Sequence, residues 1–256
     1  MNVKNSTFNY LIEKLKQKGA LYFILVDPDK PDHLDKLCDI AEEADVAAFL
    51  VGGSTVISQY SIHNVIQYIK KITKIPVIIF PSNVSSVAKG ADAIFFMSLL
   101  NSRNPYYISR VQAVAAPTIK KLGLEPISLA YIIVGDGGAA GYIGEADPIP
   151  FDHPELAAMY ALSAELIGFK LIYLEAGSGV KEPIPPYFIS FVKKIVNLPI
   201  IVGGGLINSE NIKNAVKAGA DIIVTGNVME NDPNCRKKIL EFANAVKEGV
   251  KERKIK

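Results

Sequence analysis

Tyr173-Leu174-Glu175-Ala176-Gly177-Ser178-Gly179 decides the fold of this 256-residue chain. An apolar run from Phe169 to Leu174 leads straight into one carboxylate and then a glycine-serine-glycine turn. A buried strand there delivers an acid and a phosphate-sized nest of backbone N–H groups to the same spot. Two later runs end alike, Leu198 to Val202 in Gly203-Gly204-Gly205 and Ala220 to Thr225 in Gly226-Asn227. One glycine-rich turn is weak evidence. Three at consecutive strand ends point to an anion held by main chain.

Working outward, short apolar runs predict eight strands, near Leu21–Val26, Val46–Val51, Val77–Phe80, Ala93–Phe96, Ile127–Val134, Lys170–Leu174, Ile200–Val202 and Ile222–Thr225. Helical patterns fill most gaps, roughly Asp32–Glu43, Ser58–Ile72, Pro105–Lys121, His153–Ile167, Pro186–Val196, Ser209–Ala218 and Asn234–Glu252. An amphipathic helix carrying Phe8, Leu11, Ile12 and Leu15 precedes them within Met1–Lys18. Continuously apolar strands alternating with helices predict an α/β fold, a parallel (β/α)8 TIM barrel forming one domain over residues 1–256. Between Phe80 and Ala91 about ten residues remain, too few for a full crossover helix. The third helix is therefore expected to be missing, or replaced by a short loop or strand.

The chain also repeats itself weakly at half its length. Val51-Gly52-Gly53-Ser54 parallels Glu175-Ala176-Gly177-Ser178, Ile75-Pro76-Val77-Ile78 parallels Leu198-Pro199-Ile200-Ile201, and Lys89-Gly90-Ala91-Asp92 parallels Ala218-Gly219-Ala220-Asp221. A half-barrel duplication explains this, and so does the frequency of such residues at strand starts.

Composition narrows the function. With 49% hydrophobic and 21% charged residues the chain can bury a large core. Its 28 basic and 26 acidic side chains are dispersed apart from the basic Lys247–Lys256 tail, which argues against nucleic acid as a partner. Cys38 and Cys235 belong to no metal-binding or disulfide pattern, and His33, His63 and His153 lack ligand spacing. No run reaches membrane-spanning length and no signal-peptide core precedes the first helix, so a soluble cytoplasmic protein is expected.

In such barrels chemistry gathers at the C-terminal strand ends. The first strand ends in Asp27-Pro28-Asp29-Lys30 and the second in Gly52-Gly53-Ser54-Thr55. Carboxylate and hydroxyl oxygens suit Mg²⁺, with Asp27 the better ligand than Asp29 and Ser54 its neighbour. Helix capping competes as a reading and suits Asp32 best. Glu175, leaving an apolar strand, must find either an acceptor hydroxyl, which makes it a general base, or a lysine in a buried ion pair. Tyr173 fits either packing or the site. Phe80, Phe95, Phe96, Met97, Leu99 and Leu100 suit ordinary core, yet beside an absent third helix they can also line a groove for a long hydrocarbon.

Taken in order, Asp27-Pro28-Asp29-Lys30, Val51-Gly52-Gly53-Ser54, Ser98-Leu99-Leu100-Asn101-Ser102-Arg103-Asn104-Pro105, the Tyr173–Gly179 run, Gly203-Gly204-Gly205 and Gly226-Asn227 resemble the geranylgeranylglyceryl phosphate synthase family over essentially the full chain. The resemblance implies a modified TIM barrel without its third helix. It implies Mg²⁺-dependent transfer of a geranylgeranyl group from its diphosphate to the 3-hydroxyl of sn-glycerol 1-phosphate, in ether-lipid synthesis. It also implies a homo-oligomer that does not span the membrane but works near it for product release. Carried over by position, Asp27 and Ser54 bind the metal. Tyr173, Leu174, Glu175, Ala176, Gly177, Ser178, Gly179, Gly204, Gly205, Gly226 and Asn227 hold the glycerol phosphate, with Glu175 and Tyr173 catalytic. The chain has no tryptophan, whereas some relatives carry one below the prenyl groove as a length limiter. Other readings of the phosphate nests are a sugar-phosphate isomerase and a non-catalytic phosphate sensor.

Overall fold

The computed structural model describes residues 6–30, 34–53, 58–226 and 235–253. Eight parallel strands close a barrel in sequence order: β1 (Leu21–Val26), β2 (Ala48–Val51), β3 (Val77–Ile79), β4 (Ala93–Leu99), β5 (Glu125–Ile133), β6 (Leu171–Glu175), β7 (Ile200–Gly203) and β8 (Ile222–Thr225). The helices are α1 (Thr7–Lys18), α2 (Leu34–Glu43), α3 (Gln59–Ile72), α4 (Val111–Leu122), α5 (Gly138–Ile143), α6 (Pro154–Ile167), α7 (Pro186–Ile195), α8 (Ser209–Ala218) and α9 (Cys235–Glu252).

Alternation along each strand separates two apolar layers. Leu21, Phe23, Leu50, Phe95, Leu129, Leu171, Ile201 and Val224 belong to one cluster, which fills the barrel and includes Leu11 of α1. Tyr22, Ile24, Phe49, Ile94, Ile172, Val202 and Ile223 belong to the other, between strands and helices. Helix α1 closes the N-terminal end: Ser6 caps it by accepting from the Asn9 N–H at 3.1 Å, and the Glu125 carboxylate at the start of β5 accepts from Thr7 N–H at 2.6 Å and Phe8 N–H at 3.2 Å.

The expected absence of a third crossover helix is borne out. Only a single 3-10 turn, Val84–Ser86, lies between β3 and β4. Helix α4 is entered through a π-helical turn at Tyr106–Arg110 and contains Pro117. Helix α5, with glycines at both ends, is an element that periodicity did not predict.

The half-length repeat has a physical counterpart. Asp92 accepts from the Val77 N–H at 2.9 Å and from Lys70 of α3 at 2.5 Å. Asp221 accepts from the Ile200 N–H at 2.9 Å and from Lys193 of α7 at 2.6 Å. In both halves one aspartate ties the strand that follows a proline to the helix before it. Asp92 and Asp221 of the repeat are thus strand staples at the end of the barrel away from the chemistry.

Candidate functional site

Glu175 is the last residue of β6 and faces inward with Leu171 and Tyr173, while Leu174 and Ala176 pack outward under the helices. Its side chain is buried. The Gly177 N–H donates to Oε1 at 2.7 Å and the Tyr131 hydroxyl donates to Oε2 at 3.2 Å. The Tyr173 hydroxyl also donates to it. Its partners among the described residues are therefore hydroxyls and a main-chain N–H rather than a lysine, which removes the ion-pair reading. Burial pushes the Glu175 carboxyl above the usual carboxylate range, and these three hydrogen bonds pull it part of the way back. Tyr131 and Tyr173 are held well above the usual phenol range, chiefly by burial, and so stay protonated donors at neutral pH.

Tyr131 was missed in the sequence. It lies directly across the β5–β6 ladder from Tyr173, and its ring centroid is 5.1 Å from that of Tyr173. Phe80 stacks on Tyr173 at 5.5 Å with an interplanar angle of 13°, so three rings shield the foot of the carboxylate from water.

The glycine turns surround this carboxylate. Gly177, Gly179, Gly204 and Gly205 have φ of 115°, 76°, 83° and 67°, the left-handed region in which consecutive N–H groups converge on an anion. At Gly204 the need for glycine is double: besides its φ, a Cβ there would lie 2.8 Å from Glu175 Oε1 and 2.7 Å from the Gly177 carbonyl oxygen. Gly226 follows β8 and packs against Leu25 of β1. Ser54, Thr55, Asn227, His33 and the capping candidate Asp32 lie outside the described residues. A further glycine turn went unread: Gly137 and Gly138 abut Gly177, and the Gly137 N–H donates to the Ala176 carbonyl at 2.9 Å. Its signal was present as Gly135-Asp136-Gly137-Gly138 directly after a strand.

A cavity of about 310 Å³ begins at this mouth. Asp27, Lys30, Gly53, Glu175 and Ser178 line its polar end, together with Phe80 and Tyr131. It also extends outside the barrel interior: Ile94, Phe96, Val87, Val111, Ala115 and Ile119 line that part, on the outer side of β4 where a third helix would pack. The expected groove therefore exists, and the missing helix is its cause. Asp27 uses Oδ1 to accept from the Asp29 N–H at 3.0 Å in a turn that fixes its carboxylate at the cavity mouth.

The Ser98–Pro105 segment serves positioning. Asn101 is buried, donates to the Ile133 carbonyl at 2.9 Å and the Asp147 carbonyl at 2.8 Å, and accepts from the Ile133 N–H at 3.0 Å. Ser102 donates to the Gly144 carbonyl at 2.6 Å. Together they pin the α5 loop over the mouth. Arg103 turns to the Asp147 carboxylate at 3.2 Å, in solvent. His63 is half-buried against the Lys89 carbonyl and His153 is exposed beside Glu155. Among the described residues no three His, Cys, Asp or Glu side chains converge on a metal site, and no helix is long and apolar enough to cross a membrane.

Comparison with known proteins bears on this geometry. The PcrB family pattern matches residues 12–246. The chain belongs to the PcrB family. Within it, the chain is 45% identical over 243 residues to the geranylgeranylglyceryl phosphate synthase of Pyrococcus abyssi, covering 93% of this chain and 96% of that one. It is 44% identical to that of Thermofilum pendens, covering 96% of each. Among solved structures, the (S)-3-O-geranylgeranylglyceryl phosphate synthase of Thermoplasma acidophilum in complex with its substrate sn-glycerol-1-phosphate superposes with a TM-score of 0.90 at 35% identity, covering 95% of this chain and 99% of that one. The thiamine phosphate pyrophosphorylase of Pyrococcus furiosus, at 16% identity, a TM-score of 0.61, and coverage of 91% and 98%, shares the PcrB barrel fold alone.

Proposed function

We propose that the glycine turns and Glu175 hold and activate the acceptor, while the outer groove holds the hydrocarbon of the donor, in a single prenyl transfer. The activity is that for which the PcrB relatives are named. A geranylgeranyl group passes from its diphosphate to the 3-hydroxyl of sn-glycerol 1-phosphate. The observation that carries the division of labour is the junction itself: one buried carboxylate stands where a main-chain anion nest meets an apolar groove.

In the transfer the bond from the donor's C1 to the diphosphate oxygen breaks, and a bond from C1 to the acceptor oxygen forms. The hydroxyl proton goes to Glu175, whose raised pKa suits a base working near neutrality. Positive charge develops on the allylic carbons in the part of the cavity that Phe80 and Tyr131 line, and aromatic rings favour a cation beside them. Phosphate held by Gly177, Gly179, Gly204 and Gly205, with Gly226 after β8 and Asn227 next in sequence, fixes the acceptor so that its hydroxyl, not water, meets C1. Leu174 and Ala176 take part through main chain only, since their side chains face away. Tyr173 orients Glu175 by its hydroxyl.

Asp27 and Ser54 are the proposed ligands of Mg²⁺, which when bound neutralises charge on the leaving diphosphate. The Asp27 carboxylate at the cavity mouth fits an ion that takes one or two protein oxygens and completes its shell with water and substrate phosphate. Helix α6 supports a homo-oligomer, because its outer side exposes large apolar residues, with Leu166 80%, Ile167 67% and Met159 66% exposed. We further infer one domain, acting in the cytoplasm beside the membrane that receives the product. Incubation with Mg²⁺, sn-glycerol 1-phosphate and prenyl diphosphates of several lengths tests the reading. An organic-soluble phosphate ester is expected. Phosphate binding without turnover would instead favour a sensor, and rearrangement of the phosphate substrate an isomerase.

A further inference from the structure

Strand β3 ends at Ile79 and its register with β4 reaches only Ile94, whereas β4 continues to Leu99. From Phe95 onward β4 therefore has no β3 partner, and the cavity passes from barrel mouth to outer groove beside this stretch. One side chain bridges it. Gln112, in the first turn of α4, donates through Nε2 to the Met97 carbonyl of β4 at 2.5 Å and to the Tyr107 carbonyl of the π-helical turn at 3.1 Å. Both contacted residues, and Gln112 itself, line the cavity.

The amide orientation is fixed by chemistry, because two carbonyl acceptors require the NH2 end. Gln112 Oε1 is in consequence buried with no hydrogen-bond partner among the described residues. An orphaned buried acceptor destabilises the fold, so a residue kept only for stability is a poor explanation of Gln112. Helix α4 is also entered through a π-turn and carries Pro117, whose nitrogen cannot donate to the Ala113 carbonyl.

We propose that Gln112 is a positioning residue for the prenyl donor. By tying α4 and the π-turn to the unpartnered part of β4, it sets the width of the slot through which a long hydrocarbon leaves the barrel mouth for the outer groove. The inference rests on the donor-groove reading above. It predicts an effect that grows with donor length, because a five-carbon donor ends near the mouth and a twenty-carbon donor must pass the slot.

The test is Gln112→Met, which keeps an unbranched side chain of similar size and removes both donors. Dissociation constants of dimethylallyl diphosphate, geranylgeranyl diphosphate and sn-glycerol 1-phosphate are measured by calorimetry on the full chain, beside thermal stability and wild-type turnover. The twenty-carbon donor is expected to bind about tenfold more weakly, as loss of two neutral hydrogen bonds allows. The five-carbon donor and the acceptor should change less than about twofold on the same reasoning. Equal weakening of both donors, or no weakening of either, overturns the proposal. Should the variant not fold, Gln112→Asn, with the amide on a stem one methylene shorter, carries the same contrast between donors and the same refutation. Wild type inactive in prenyl transfer would sink the underlying function, whereas a flat response to donor length in an active enzyme sinks the role of Gln112 alone.

Discussion

Replacing Glu175 by glutamine tests the acceptor half of the site, because the structure separates its chemical role from its structural one. Glutamine keeps Oε1 as the acceptor for the Gly177 N–H, and its amide can donate to the hydroxyl oxygens of Tyr131 or Tyr173. The Tyr131 hydroxyl proton, which the carboxylate accepted, loses that acceptor and must turn elsewhere. The stability effect also has a sign. A carboxyl whose folded pKa is raised contributes stability that is fully present below its unfolded pKa and lost as pH rises through its folded pKa. At neutral pH the wild type bears that loss and the amide does not, which offsets the lost Tyr131 hydrogen bond, so Glu175→Gln should melt close to the wild-type temperature. Loss of a general base costs about 10²- to 10⁴-fold in rate, or roughly 3 to 5 kcal/mol of barrier. Steady-state assays should show this in kcat, with binding of sn-glycerol 1-phosphate retained in calorimetry. In the wild type the acid limb of the pH–rate profile should lie above the ordinary carboxylate range and should vanish in the variant. Turnover near the wild-type rate, or an unfolded variant, would refute Glu175 as the base.

Three further outcomes follow from the same geometry. Tyr131→Phe removes a hydrogen bond that lowers the Glu175 pKa, so the acid limb should move to higher pH and kcat at neutrality should fall about tenfold, read from the pH–rate profile. Gly204→Ala forces a side chain against Glu175 and the Gly177 carbonyl at φ 83°, and should raise the acceptor KM about 10- to 100-fold while donor affinity is kept. Asp27→Asn conserves volume but removes one anionic oxygen donor, so the Mg²⁺ concentration for half-maximal rate should rise by about tenfold or more with the melting temperature unchanged. An unaltered Mg²⁺ dependence would exclude Asp27 from the metal site.

What the sequence disclosed, and what it hid, follows physical range. The eight strands were legible because buried parallel strands are continuous apolar runs, and the missing helix because ten residues cannot cross a sheet. Glu175 stood out as a charge at the end of such a run. Helix α5 did not, since Gly138-Ala139-Ala140-Gly141 has no apolar period and is held by loop contacts such as that of Ser102 with Gly144. Tyr131 is 44 residues from Glu175, and only the β5–β6 register brings them together. Gln112 was hidden for the same reason: its acceptors on β4 and the π-turn are defined only after the strand gap has formed. The repeat near Asp92 and Asp221 was visible, but its meaning as a pair of strand staples needed the hydrogen bonds.

The central claim is that one carboxylate joins two differently built pockets, and a crystal structure with sn-glycerol 1-phosphate and a non-hydrolysable geranylgeranyl thiodiphosphate tests it most directly. The account predicts acceptor phosphate density on the Gly177–Gly179 and Gly204–Gly205 turns and the 3-hydroxyl within hydrogen-bond reach of Glu175. The hydrocarbon should run past Gln112 along Phe96, Ala115 and Ile119. Hydrocarbon density elsewhere, or a 3-hydroxyl turned away from Glu175, would contradict it.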